Sequence, residues 1–214
     1  MVELRYTLVS DGSSDQSLIP ILSWMLRKNN VTCAIQHQWA DLRFLRRPPA
    51  LLPDRILQSI TLYPCDLLFV HRDAEREPWA TRVKEVQQAV QEACKQMDVP
   101  PCACVVPVRM LEAWLLFSEK AIRRAAGNPS GTQQINLPRL EHLEALPDPK
   151  NDLYQLLYQA SGLHGRRLKR FAPDQAAANI TRFIEDFSTL GNLPAFGALE
   201  RDLQQIIGEK RWDQ

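Results

Sequence analysis

The stretch Asp66-Leu67-Leu68-Phe69-Val70-His71-Arg72-Asp73-Ala74-Glu75 does most to fix the fold of this chain. Its first half is a short, nearly continuous apolar run, which is typical of a strand buried on both faces of a parallel sheet. Its second half places two carboxylates, Asp73 and Glu75, directly after that strand. Functional groups of parallel sheets collect at the carboxyl ends of the strands. The stretch therefore predicts a central strand with functional acids at its end.

Strand-like and helix-like patterns alternate on both sides of this run. Apolar residues alternate in the first strand candidate, form a nearly continuous run in the strand at 66–71, and recur at helical spacing between the strands. Such alternation predicts an α/β fold, a mostly parallel sheet flanked by helices. The predicted strands are 4–10, 31–38, 66–71 and 102–108, and the predicted helices between them are 15–28, 53–63 and 79–97.

From residue 110 onward the pattern is helical and the β-branched runs disappear. We therefore expect an α/β domain at 1–118 and an all-helical extension at 119–214 that packs on it. The predicted helices of this half are 110–126, 137–146, 151–161, 173–190 and 194–208.

Composition excludes several classes of protein. The 214 residues are 45% hydrophobic, enough for a sizeable core, which excludes disordered and fibrous chains. With 26 Lys+Arg against 25 Asp+Glu, the formal net charge is +1, so binding to nucleic acid must depend on local patches. No apolar run approaches the roughly 20 residues of a membrane span, and the N-terminus lacks a signal-peptide pattern. We expect a cytoplasmic protein that does not bind membranes.

The five cysteines are predicted to be buried free thiols. Their number is odd, and most of them lie in or beside apolar segments. Cys102 and Cys104 are separated by one residue, which is too close for the usual zinc-ligand pair.

Three predicted strands each end near an acid. Asp11 follows the first strand in Asp11-Gly12-Ser13-Ser14-Asp15, where Ser14 and Asp15 suit the start of a helix. Asp73 and Glu75 are two apart, so in an extended segment both carboxylates point to one side and suit a shared cation. Glu112 follows the fourth strand. Acids at three strand ends are the arrangement that a divalent-metal phosphoryl-transfer site requires.

These residues resemble the TOPRIM fold of topoisomerases, primases and overcoming-lysogenization-defect nucleases. The order is a strand, an acid-Gly-x-Ser-acid motif, and a buried strand followed by an acid-x-acid pair. The same residues resemble more closely still an uncharacterised TOPRIM-like domain-of-unknown-function family of prokaryotes and their mobile elements. Two further segments resemble that family, 107–116 (Pro-x-x-x-x-Glu-Ala-Trp-Leu-Leu) and Asp148-Pro149-Lys150.

The resemblance implies roles for individual residues. Asp11 takes the place of the family's first acid, usually Glu, to which a general acid/base role is assigned. Asp73 and Glu75 take the place of the Asp-x-Asp pair that binds magnesium. The loop after Glu75 lacks the family's glycine, and Ser118 stands where the family has an acid. The resemblance covers roughly residues 4–160 and also implies a role in prokaryotic defence, including phage defence, or in mobile elements.

Basic residues form two local clusters. Arg166, Arg167, Lys169 and Arg170 crowd a glycine-bounded loop, and a second cluster lies at 43–47. Together with Lys150, the first cluster is predicted to contact the phosphates of a nucleic acid. The alternative is a solvated charged loop. There is no glycine-rich phosphate loop, so any ATPase would be a separate partner.

The predicted function is a phosphodiester-cleaving nuclease of TOPRIM type that depends on Mg²⁺ or Mn²⁺. Asp11, Asp73 and Glu75 are the predicted metal ligands, Glu112 assists them, and Asp11 also handles protons. One alternative is a non-catalytic TOPRIM-like module that binds nucleic acid or protein. Another is an enzyme acting on small phosphate esters. The sequence leaves open the choice between DNA and RNA and whether the protein forms a homo-oligomer.

Overall fold

The computed structural model describes residues 3–213 and contains a four-stranded, all-parallel sheet in the order β2-β1-β3-β4. The all-parallel sheet flanked by helices confirms the α/β prediction. β3 lies inside the sheet and is buried along its whole length, as its apolar run predicts. The strands are β1 (Glu3–Val9), β2 (Ala34–Trp39), β3 (Leu67–His71) and β4 (Cys102–Val105).

The strand register makes the carboxyl ends of β1 and β3 level. In this pair Tyr6 lies opposite Leu67, and Val9 lies opposite Val70. The chain leaves β1 toward β2 on one side and later crosses to β3 on the other side. Ligands of open α/β sheets bind in the crevice beyond the strand ends at such a reversal of strand order. A ligand site is therefore expected beside the segments that follow β1 and β3.

Helices cover both faces of the sheet. The α-helices are α1 (Leu18–Lys28), α2 (Leu52–Leu62), α3 (Trp79–Cys94), α4 (Glu119–Ala125), α5 (Pro149–Ser161), α6 (Gly165–Lys169), α7 (Pro173–Asn179) and α8 (Pro194–Lys210). Short 3-10 helices are Ser13–Ser17, Leu111–Leu115, Leu140–Ala145, Ile180–Phe183 and Ser188–Asn192. None of the helices in residues 3–213 is long and apolar enough to cross a membrane.

The two faces of the sheet have separate hydrophobic cores. On one face, apolar residues of β3 such as Val70 pack with Ile56 of α2 and Val86 of α3. On the other face, a larger core runs from Leu4 of β1 to Trp212 beyond α8. The helical C-terminal region therefore shares its core with the sheet, and the boundary at 118/119 stays a prediction.

Two long predicted helices are interrupted, which corrects the sequence prediction. The segment 110–126 divides into the 3-10 helix Leu111–Leu115 and α4, because the Ser118 hydroxyl accepts a hydrogen bond from the Ala121 amide and starts a new helix. The segment 173–190 leaves α7 for a 3-10 turn and becomes extended at Ile184. The glycine-bounded loop at 162–165 leads into a short helix, α6, that the sequence pattern did not indicate.

All five cysteines are free thiols, as predicted, but four of them are half-buried and not buried. Cys94 is exposed, whereas the helical pattern predicts that it faces inward. Burial raises the pKa of the Cys104 thiol to about 12, with Asp202 adding to the effect, so this thiol is a poor nucleophile.

Candidate functional site

Carboxylates from four parts of the chain meet in a cavity of about 330 Å³ at the carboxyl edge of the sheet. We call it the acid pocket. Lys150 and Tyr154 of α5 form part of its wall. Its acids are Asp15, Asp73, Glu75, Glu112 and Asp174. The structure thus brings together three of the four acids singled out in the sequence, and adds two others.

Asp73 is the acid with the most perturbed environment. Its side chain is 30% exposed, and its Oδ1 accepts a hydrogen bond of 2.9 Å from the Leu111 amide. Burial raises the pKa of Asp73 to about 6, helped by the negative charges of Glu112 and Asp15 and opposed by His71. Protonation or a bound cation would relieve this repulsion.

The buried His71 stands between two of these acids. It is the last residue of β3, and its Nδ1 lies 2.9 Å from the carbonyl oxygen of Val105. Because a carbonyl oxygen only accepts, Nδ1 must carry the proton of this bond. Nε2 then faces Oδ1 of Asp73 at 3.6 Å and Oδ1 of Asp15 at 3.9 Å. His71 therefore brings a buried ring nitrogen within 4 Å of both acids, a contact that the sequence analysis missed.

Asp15 serves the turn after β1 and the pocket at once. Its Oδ2 accepts a hydrogen bond of 2.9 Å from the Gly12 amide, and its Oδ1 lies 3.2 Å from the donating Ser14 hydroxyl. These bonds close the 3-10 turn Ser13–Ser17. The sequence predicts the helix-starting role, but it gave no sign that the same carboxylate lines the pocket.

Glu75 and Arg109 form a strained backbone pair at the pocket wall. Both adopt the left-handed conformation, with φ of 53° and 64°. The Glu75 amide donates to the Arg109 carbonyl at 2.7 Å, and the Arg109 guanidinium donates to the Glu75 carbonyl at 3.2 Å. The extended geometry assumed for Asp73 and Glu75 is therefore wrong at Glu75, although both line the pocket. Strained residues of this kind cluster at functional sites.

Lys150 brings a positive charge to the mouth of the acid pocket. Its Nζ lies 3.8 Å from Oε1 of Glu112 and 5.9 Å from the centre of the Tyr154 ring. The Asp148 carboxylate accepts a hydrogen bond from the Asn151 amide, and Pro149 follows in the first turn. The Asp-Pro-Lys motif therefore begins α5 and, by doing so, places Lys150 at the pocket.

Asp11 lies outside the acid pocket. Its carboxylate, 49% exposed, forms ion pairs with Arg55 of α2 and with Arg72, whose Nε lies 3.0 Å from Oδ2. Arg72 also contacts Glu85 at 3.4 Å. We call Asp11, Arg55, Arg72 and Glu85 the arginine corner. The structure does not bring Asp11 together with Asp73 and Glu75, because two guanidinium groups hold its carboxylate in another cavity.

The predicted nucleic-acid residues on and after α6 are exposed cations. Within the described part of the chain, none of these residues has an acidic partner within 4 Å. They lie beyond the far end of α5 from Lys150, and the rings of Tyr158 and Phe171, 5.6 Å apart, connect α5 to the segment after α6. The residues are Arg166, Arg167, Lys169 and Arg170, and they do not line the acid pocket.

The second basic cluster surrounds the end of β2. The Arg43 guanidinium forms two hydrogen bonds of 2.8 Å with Asp41 and lies 4.9 Å from the Trp39 ring centre. The neighbouring Phe44 is 65% exposed. This cluster is at the same edge of the sheet as the acid pocket, because β2 runs parallel to β1.

The acid pocket suits a hydrated magnesium ion better than a fully protein-bound metal. Among residues 3–213, no three His, Cys, Asp or Glu side chains are arranged to hold a metal ion together. Mg²⁺ commonly keeps several water ligands and binds one or two carboxylates together with a substrate phosphate. Oδ2 of Asp73 is free of protein hydrogen bonds among these residues, and Glu75 is exposed toward solvent. These carboxylates fit such an ion.

Comparison with known proteins identifies no relative. No protein-family model matches the chain, and no match was found among curated proteins or solved structures. The site must therefore be interpreted from its own geometry and chemistry.

Proposed function

We propose that the protein is a magnesium-dependent phosphodiesterase that acts on nucleic acid, with its active site in the acid pocket. The observation that carries the proposal is the convergence of Asp73, Glu75 and Glu112 at a reversal of strand order, with the pKa of Asp73 raised to about 6. An acid whose pKa is raised beside other carboxylates is typical of a cation-binding site that is held ready for its ligand.

Each residue of the pocket has a part in the proposal. Asp73, with Glu75 or Glu112, would hold Mg²⁺ or Mn²⁺ through carboxylate oxygens. A bound divalent ion lowers the pKa of a coordinated water and neutralises phosphate charge. The Leu111 amide keeps Asp73 in place through its hydrogen bond to Oδ1, and the His71 ring lies beside the same oxygen. Lys150 attracts the phosphodiester to the mouth of the pocket, since it carries the one basic side chain of the lining.

The exposed arginines support nucleic acid as the substrate class. A phosphate backbone is bound mainly through Lys and Arg side chains that have no competing internal partner. Arg166, Arg167, Lys169 and Arg170 meet this condition among the residues described. Asp11 has no part in the proposed chemistry, because its carboxylate is engaged by two arginines.

Cleavage assays with two matched variants test the proposal. Purified protein is incubated with supercoiled plasmid, single-stranded DNA and RNA in Mg²⁺ or Mn²⁺. Asp73→Asn keeps an oxygen for the Leu111 amide but removes the charge, and we expect cleavage to fall by at least about 100-fold. Asp11→Asn should stay within about threefold of wild type. Cleavage that survives in Asp73→Asn, or that requires Asp11 instead, would contradict the proposal.

A second candidate is a non-catalytic module that binds nucleic acid or a protein partner. It is favoured by the lack, in residues 3–213, of three side chains already arranged around a metal position. This candidate predicts no cleavage and no stabilisation by Mg²⁺, while oligonucleotide binding persists.

A further inference from the structure

A second cavity adjoins the acid pocket and differs from it in chemistry. It has a volume of about 430 Å³ and lies between the 3-10 turn Ser13–Ser17, the start of α1 and the segment 178–182. Ser14, Ser17 and Ala178 line both cavities, so the two share a wall along the turn after β1. We call this second cavity the polar groove.

The polar groove contains no carboxylate in its lining, whereas the acid pocket contains five. Its polar groups are hydroxyls and amides, among them Ser13, Gln16 and Asn179, together with the imidazole of His37 from β2 and the guanidinium of Arg182. Arg182 is exposed and has no acidic partner within 4 Å among the described residues. Hydroxyls, amides and an arginine next to a cation-binding pocket suit an anion rich in oxygen acceptors.

Thr181 gives an independent indication of a ligand. It lines the groove and is only 1% exposed, yet its Oγ1 has no hydrogen-bond partner within residues 3–213. A buried hydroxyl without a partner destabilises the folded protein. Its Oγ1 is closed to solvent, so an oxygen of a bound molecule would satisfy it only after a shift of the groove wall next to Arg182.

We propose that the polar groove binds the sugar–phosphate backbone of a single-stranded nucleic acid, one nucleotide away from the phosphodiester in the acid pocket. Arg182 pairs with the phosphate, and Thr181 and the serines bond to backbone oxygens. The inference deepens the proposed function and rests on it for the position of the scissile bond. It predicts that a small phosphate ester is a poorer substrate than an oligonucleotide, because such a molecule makes no contact with the polar groove.

The size and the lining of the groove determine the form of the nucleic acid. A cavity of about 430 Å³ has the size of a small-ligand pocket, so we expect a single strand to enter it more readily than a duplex. Contacts to phosphate and sugar carry no sequence information. We therefore expect binding to be sequence-independent and to hold for strands of several nucleotides.

Oligonucleotide binding tests the inference through Arg182. Fluorescence anisotropy is measured with a fluorescein-labelled single-stranded decanucleotide, in Ca²⁺ to limit cleavage, for wild type and Arg182→Ala. The variant should bind about tenfold more weakly, since one charged hydrogen bond is lost. The slope of log Kd against log salt should fall by about 0.7. Thr181→Val, which keeps the shape of the side chain, should bind about threefold more weakly.

A matched control and a second substrate keep the outcomes separate. Lys95→Ala removes one positive charge just after α3, which ends at the opposite edge of the sheet, and should bind like wild type. If Arg182→Ala binds as tightly as Lys95→Ala, or if wild type binds no oligonucleotide, the inference is overturned. Melting curves of Thr181→Val and Arg182→Ala exclude a loss of folding as the cause of weak binding.

Hydrolysis of bis(p-nitrophenyl) phosphate by wild type and Asp73→Asn tests the proposed function alone. One outcome is that wild type hydrolyses the small diester, Asp73→Asn does not, and Arg182→Ala binds the oligonucleotide as tightly as wild type. That outcome supports the proposed function and contradicts the groove inference. If neither the diester nor the oligonucleotide is cleaved but oligonucleotide binding depends on Arg182, the groove is a nucleic-acid-binding site and the proposed hydrolase activity is wrong.

Discussion

The acid pocket and the arginine corner lie at the same edge of the sheet and use acids from the same turn, yet they differ in charge balance. In the arginine corner, the carboxylate of Asp11 meets two guanidinium groups. In the acid pocket, Asp73 meets Glu112 and Asp15, and burial raises its pKa to about 6. Asp11 and Asp15 are only four residues apart. The partner groups, and not the position at a strand end, decide which acid is satisfied and which is available for chemistry.

The largest expected effect is a dependence of stability on pH that belongs to Asp73. A folded-state pKa of about 6 against an ordinary value of 3.8 favours the protonated folded protein. The resulting stability is fully present below about pH 4 and is lost as pH rises through about 6, by up to about 3 kcal/mol. Urea denaturation of metal-free protein at pH 4.5 and 7.5 measures it. Asp73→Asn should lose this share of the pH dependence, and identical pH profiles for the two proteins would contradict the difference drawn between the two regions.

A smaller effect is expected from Mg²⁺ on thermal stability. A ligand that binds only the folded state at about ten times its dissociation constant stabilises it by about 1.4 kcal/mol. For a chain of this length, that raises Tm by about 3–6 °C. Differential scanning fluorimetry at pH 7.5, with NaCl at matched ionic strength as the control, checks the value. Asp73→Asn should abolish the rise and Asp11→Asn should keep it. The reverse result would move the cation to the arginine corner.

The smallest expected effect is the loss of stability in Asp11→Asn. The Asp11 carboxylate is half exposed, and exposed ion pairs contribute about 1 kcal/mol or less. Urea denaturation at low and high salt should show a decrease below about 1 kcal/mol that shrinks as salt screens the charges. The remaining contact between Arg72 and Glu85 limits the loss. A loss of several kcal/mol would mean that the corner is as tightly organised as the pocket.

The sequence predicts the parts of this molecule that depend on local pattern and on sheet topology. The apolar run of β3 predicts a buried central strand, because only such a strand is apolar on both faces. Parallel strands end at one edge, so acids after β1, β3 and β4 were expected near one another. Asp73, Glu75 and Glu112 do line one cavity. These predictions required no knowledge of individual contacts.

What the sequence could not predict depends on partners that are distant in the chain. The pairing of Asp11 with Arg55 spans 44 residues, and nothing in either local pattern indicates it. The local pattern shows His71 only as the last residue of a buried strand, although its ring nitrogen lies close to the acids. The left-handed conformation of Glu75 depends on Arg109, another residue for which local propensity gives no sign. Asp174 reaches the pocket only because α7 packs beside α5 and the turn after β1.

The pocket residues are far apart along the chain, and this separation determines how late in synthesis the site can form. The lining of the acid pocket extends from Ser14 to Ala178, so its two ends are made far apart during synthesis. Contacts between such distant parts form slowly, because the chain must lose the entropy of closing a long loop before the contacts stabilise it. A nascent chain that has completed the whole sheet still lacks the wall contributed by α5 and α7. Activity that depends on this pocket is therefore withheld from partial chains and begins only when the sheet and the helical region have joined.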